Sequence, residues 1–208
     1  MPTRLSLYNA ALRICGDARL ASLTENREPR HLLDDVWDNG ALKYCLEQGN
    51  WNFATRTVRV EATTAISPDF GFKLAFVKPS DWVRTSGFAS DQYFRAPMTD
   101  RSYKDEGGYW WADIDPVFVR YVSDDEDFGL DMALWPETFT RFVEHYLATQ
   151  IIPRLKEAKI SRDDVGLLYK RARTDALSKD AMNEGASFPP AGGWANARQA
   201  GRGNRWRG

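Results

Sequence analysis

The stretch CLEQGNWNFATRTVRV, residues 45–60, joins two different periodicities. On its N-terminal side Leu33, Val36/Trp37, Ala41 and Tyr44/Cys45 recur at the spacing of one helix face. On its C-terminal side Thr57-Val58-Arg59-Val60 alternates polar and apolar, as a half-buried strand does. Trp51 and Phe53 stand at the change of period, beside a glycine and two asparagines. Large aromatics at such a place are expected to be buried anchors that clamp a helix to a β-rich part.

Upstream, Leu5, Tyr8, Leu12 and Cys15 form one stripe of a short helix that should stop at Gly16, a natural left-handed C-terminal residue. After the polar turn SLTENREPR, the second stripe predicts a single longer helix from Pro29 to Gly49. Downstream, FKLAFV (72–77) and VFVRYV (117–122) are aromatic and β-branched runs bounded by Pro, Gly and Asp, which read as strands. YKDEGGYWW (103–111) carries a Gly-Gly pair suited to a tight hairpin, and KPSDWVRTSGF (78–88) reads as a short helical turn started by Ser80. On neighbouring strand positions Trp110 and Trp111 point to opposite faces, so one is expected in the core and the other as an exposed or interface aromatic.

Helical spacing returns at Phe139, Phe142/Val143, Tyr146/Leu147 and Ile151, predicting a helix over 136–158 that Pro153 kinks or interrupts. Ser161 and Asp164 resemble a capping box that opens a last helix over 161–185. The expected fold is therefore α+β: an antiparallel bundle of about four helices with an inserted β-rich middle and an extended C-terminal tail. Its parts are residues 1–54 (N-terminal helices), 55–126 (β insertion), 127–186 (C-terminal helices) and 187–208 (tail).

The 208 residues are 43% hydrophobic and 27% charged, an ordinary globular balance. A net charge of -1 gives no reason for strong non-specific attraction to DNA or an acidic membrane. No apolar run approaches the roughly 18 residues of a bilayer span, and the first residues lack the apolar stretch of a signal peptide. The chain is thus expected to be made in, and to stay in, a cytoplasm until assembled or released. The tail FPPAGGWANARQAGRGNRWRG (188–208) has four arginines and no acidic residue. Removing its +4 from the total of -1 leaves a body of -5. Such a segment cannot form a core of its own, and it is expected to be either a flexible extension without a role or a segment that orders on a partner.

Catalytic signatures are sparse. Cys15 and Cys45 read as small buried apolar groups, and His31 and His145 each lack a second histidine at ligand spacing, so no metal or other cofactor is expected. There is no nucleophile elbow, P-loop or dinucleotide fingerprint. Asp34/Asp35, Glu137 with Glu144, and the run Asp124-Asp125-Glu126-Asp127 satisfy a two-carboxylate hydrolase only loosely, and a solvated face is the simpler reading of the first two. The acidic run either supports the N-terminus of the helix that follows or lines a negative surface.

The order of features resembles the tail tubular protein A and head-to-tail adaptor family of tailed bacteriophages. The shared features are Gly16 closing a first helix, Ser22-Leu23-Thr24-Glu25 in a turn, Trp37 and Tyr44 on a second helix, and the Trp51-Asn52-Phe53-Ala54 joint. Phe76-Val77-Lys78-Pro79-Ser80-Asp81 with Arg84 is similar to the family's Y-x-L-P-x-D-x-x-R segment, with one inserted lysine. The resemblance covers about residues 5 to 185. It implies a non-enzymatic virion protein, built in the host cytoplasm and located at the head–tail junction. There a homo-oligomeric ring of about twelve copies would dock on the portal protein, carry the next tail or nozzle protein, and let DNA pass without specific binding.

Two site expectations follow. The tail residues Phe188, Trp194, Arg198, Arg202, Arg205, Trp206 and Arg207 would dock in a portal groove, and Asp124, Asp125, Glu126 and Asp127 would line the lumen, where negative charge keeps phosphates sliding. The alternatives are a peptidoglycan-degrading connector protein that uses a carboxylate pair, or a nucleic-acid-binding module that uses the Arg/Trp tail.

Overall fold

The computed structural model describes residues 1–66, 71–95, 97–99, 101–155 and 159–183. These form a mixed α+β fold with five α-helices and two three-stranded antiparallel sheets. Helix α1 (Arg4–Cys15) starts on a capping box between Thr3 and Ser6 and ends at Gly16, whose φ of 76° is the left-handed conformation expected of it. The helix expected over 29–49 is instead two, α2 (Glu28–Asp38) and α3 (Ala41–Glu47). Gly40 adopts φ 87° between them, and Asn39 donates both its amide and its backbone N–H to the Asp35 carbonyl, which turns the chain while the apolar stripe continues.

The sheets share a simple logic. Sheet A has the order β1 (Thr55–Val60), β6 (Val117–Ser123), β3 (Trp82–Ala89), and sheet B the order β2 (Leu74–Val77), β5 (Tyr109–Ala112), β4 (Tyr103–Glu106). Gly107 and Gly108, at φ 64° and 84°, make the expected two-residue turn between β4 and β5. The helical turn expected at Ser80 is absent. Only a turn in which the Trp82 N–H meets the Pro79 carbonyl precedes β3, because Trp82 to Ala89 pair with β6 far along the chain. Trp110 and Trp111 do point to opposite faces, yet both are buried. Trp110 faces Phe88 and Tyr121 of sheet A, whereas Trp111 lies beside Tyr109 and donates its indole N–H to the Glu106 carbonyl of its own hairpin.

Helix α4 (Glu137–Ile151) packs on α1, α2, α3 and α5. It is shorter than the expected 136–158, since Pro153 lies in a 3-10 turn over Ile152–Arg154 that ends the α-helical ladder. Helix α5 (Arg162–Asn183) opens where the Ser161 hydroxyl accepts the Asp164 N–H and donates to the Asp164 carboxylate.

Two buried clusters result, and sheet A belongs to both. Val117 and Val119 join Phe76, Phe88 and Trp110 between the sheets, while Val83 and Val122 join the helical core. Trp51 and Phe53 hold the junction. The Trp51 ring is 1% exposed, lies 4.8 Å from Phe139 and 6.0 Å from Phe142, and donates its indole N–H to the Cys45 carbonyl at 3.1 Å. Phe53 is half-buried against Phe139. A Cβ on Gly49 would fall 2.5 Å from a Leu177 methyl and 3.1 Å from the Trp51 ring, so only glycine lets α5 close over the indole. The backbone N–H of Asn52 and its side-chain amide then bond Asp180 of the same helix.

Asp81 supports the other side of the junction. It accepts from Arg56 of β1 and from Tyr121 and Ser123 of β6, tying the start of β3 to both other strands of sheet A. Partial burial alone would raise its pKa, but the hydrogen bonds from Ser123, Tyr121 and Arg56 outweigh it and hold the carboxyl below its ordinary value.

Trp51→Ala should cost about 3–5 kcal/mol of stability in urea unfolding, the range for emptying a buried tryptophan site. The Asp81 contribution is fully present above the unfolded carboxylate pKa of about 3.9 and is lost as pH falls through the lower folded value. Asp81→Asn should therefore flatten the acid limb of a stability–pH profile and lower the plateau above it.

Candidate functional site

The acidic run is built from the inside out. Gly129 sits so close to the Ser123 carbonyl, 2.1 Å from where its Cβ would be, that the chain after β6 must fold back tightly against Leu46 and Ala54. Within that loop Asp124 pairs with Lys43 of α3 at 3.1 Å, and the Asp125 carboxylate accepts the Asp127 N–H at 3.0 Å. The carboxylates of Glu126 and Asp127 are exposed and have no hydrogen-bond or ion-pair partner among the described residues. Half of the run thus serves local structure. None of it caps a helix, because α4 begins only at Glu137. The tail residues Phe188, Trp194, Arg198, Arg202, Arg205, Trp206 and Arg207 lie outside the described residues.

The loose carboxylate pairs are separated by their partners. Asp34 takes Arg4, Arg30 and the Tyr8 hydroxyl, which pins α1 to α2, while Asp35 faces a different surface. Glu137 pairs with Arg141 one turn on. Glu144 lines a pocket of about 330 Å³ with Arg13 and Arg19, and burial holds its carboxyl above the ordinary value despite the attraction of Arg13. Burial also pushes the Cys15 thiol up to about 11 and the Cys45 thiol higher, so both are poor nucleophiles at neutral pH. Among the described residues no group of three His, Cys, Asp or Glu side chains is placed to hold a metal ion, and no helix is long and apolar enough to cross a membrane.

One cluster was not legible in the sequence. Lys78, the lysine inserted in the Pro79 segment, has a side chain only 9% exposed, paired with Asp105 of β4 and 3.5 Å above the Trp82 ring. Thr85 donates to the other oxygen of Asp105 at 2.7 Å and accepts from the Trp82 and Trp110 indoles at 3.0 and 2.9 Å. Two of these groups come from β3 and two from the β4–β5 hairpin, so the network bolts sheet A to sheet B. Its donors and acceptors are matched to one another, which suits a lock and leaves no activated nucleophile. Its only sequence signal was a lysine beside two apolar residues, and its partners are far away in the chain.

A groove of about 560 Å³ lies between α2 and the C-terminal end of α4, where Leu32, Val36 and Tyr146 supply apolar surface, Asn39 and Gln150 are polar, and Asp35 and Arg154 are charged neighbours. Tyr44 stacks on Tyr146 at 4.7 Å, extending the aromatic surface. No family model matches the chain, and no curated protein matches it.

Lys78→Met should cost roughly 2–3 kcal/mol in chemical denaturation, at or below the low end for breaking a buried pair because Asp105 keeps some contact with water. Adding Asp105→Leu to it should recover part of that loss, and a double-mutant cycle measures the coupling.

Proposed function

We propose that this chain is a head-to-tail adaptor subunit of a tailed-bacteriophage virion. In this reading the helices form the bundle that docks on the portal protein, and the paired sheets reach toward the neighbouring copy or the next tail component. The observation that carries it is the ordered series Gly16, Ser22–Glu25 and Trp51–Ala54, whose last member joins the helical core to sheet A. A head-to-tail ring of about twelve copies needs two different faces on each subunit, and a helical side and a β side with separate cores supply them. Glu126 and Asp127, the two members of the acidic run without a partner among the described residues, are the carboxylates left to face passing DNA. Phe188, Trp194, Arg198, Arg202, Arg205, Trp206 and Arg207 engage the portal, each copy weakly and the ring collectively.

Mixed with portal protein, the chain should form rings visible by negative-stain electron microscopy, and deletion of residues 187–208 should weaken that association. Rings of equal affinity from the truncated chain would remove the tail from this reading. Failure to associate with any portal protein of its own virus would remove the reading itself.

A further inference from the structure

The groove between α2 and α4 is bordered by a carboxylate, Asp35, and by one cation, Arg154, that does not pair with it. Helix α2 carries Asp34, Asp35 and Asp38 in its C-terminal half and no basic residue in its last turn, although the negative end of the helix dipole lies there. Arg4 answers both Asp34 and Asp38. The exposed Asp35 carboxylate has no hydrogen-bond or ion-pair partner among the described residues, and it borders the apolar wall of Leu32, Val36 and Tyr146. A cation attached to a flat apolar group fits such a place, and a space of about 560 Å³ is ample for an indole.

The chain itself contains that group. Arg205-Trp206-Arg207 flanks an indole with two guanidinium groups, in a tail of +4 on a body of -5. We propose that this tripeptide docks in the α2–α4 groove of its own subunit, with the Trp206 indole against Leu32, Val36 and Tyr146 and a flanking arginine on Asp35. Arg154, the basic residue of the groove lining, is accommodated by stacking its guanidinium on the indole.

Reach favours the same subunit. Near the end of α5, Asp180 holds Asn52, next to Trp51 and the Phe139 turn of α4, so the last residues of α5 lie near the N-terminal end of α4. The groove lies at the other end of that fifteen-residue helix, about 22 Å away at 1.5 Å per residue. A glycine-rich chain of 22 residues, 184–205, has an r.m.s. span of about 26 Å. A linker whose r.m.s. length matches the distance gives the highest effective concentration. The docked tail would be held in reserve on the free subunit, a state that does not depend on the adaptor reading.

The test is paramagnetic relaxation in the full-length isolated protein, with a spin label on Asn204→Cys; Cys15 and Cys45 are buried and protected. The amides of Leu32, Val36, Asn39 and Gln150 should lose intensity strongly. Asp35→Asn or Trp206→Ala in the same labelled chain should restore it. No loss at these amides would overturn the proposal, as would a loss that survives Trp206→Ala. A loss that appears only when spin-labelled and isotope-labelled chains are mixed would place the tail on a second copy, and would also overturn it.

Discussion

The burial of one indole organises this molecule. Trp51 follows α3 by four residues, opens the short 3-10 turn through which the chain enters sheet A, and is where α4 and α5 close from the other side. Its N–H is satisfied by the Cys45 carbonyl, so the ring is buried without an orphaned donor. Gly49 is the counterpart of that burial, because any side chain there would hold Leu177 and α5 away. The aromatic contacts then continue through Phe139 to Trp135, whose own indole N–H bonds the Gly129 carbonyl. The acidic loop is thereby fixed to the same anchor.

From this anchor the fold divides into two cores that share sheet A. Strand β6 shows how: Val117, Val119 and Tyr121 face the second sheet, while Val122 faces the helices. A sheet that contributes side chains to both cores transmits position between the two halves better than a loop does. The Asp81 bonds and the Lys78–Asp105 network reinforce the two sides of that layer, the first within sheet A and the second between the sheets. Both pair charges that would otherwise be costly to bury.

The features legible in the sequence were those whose cause is local. Gly16 and the Gly107-Gly108 turn follow from backbone freedom, Pro153 from a missing N–H, and Trp51 from a change of period within a few residues. The misread features depend on distant partners. Gly40 breaks a helix inside a continuous apolar stripe, so the stripe hid the turn. Trp82 to Ala89 became a strand because β6 pairs with it, against a local proline–serine turn signal. Lys78 is buried only because Asp105 and two indoles, brought in by tertiary structure, receive it. The acidic run read as one patch, yet Lys43 and a local turn engage its first two members and leave Glu126 and Asp127 exposed.

The proposed role turns this division of labour into an assembly: a helical face, a β face and a basic tail joined at one aromatic clamp. The most direct measurement of that account is a cryo-EM reconstruction of the chain bound to its portal protein. The account predicts a closed ring beneath the portal, with Glu126 and Asp127 directed at the channel and the paired sheets in contact with the adjoining subunit or the next tail component. A reconstruction without a ring of this chain, or one in which a single subunit binds the portal as an isolated monomer, would contradict it.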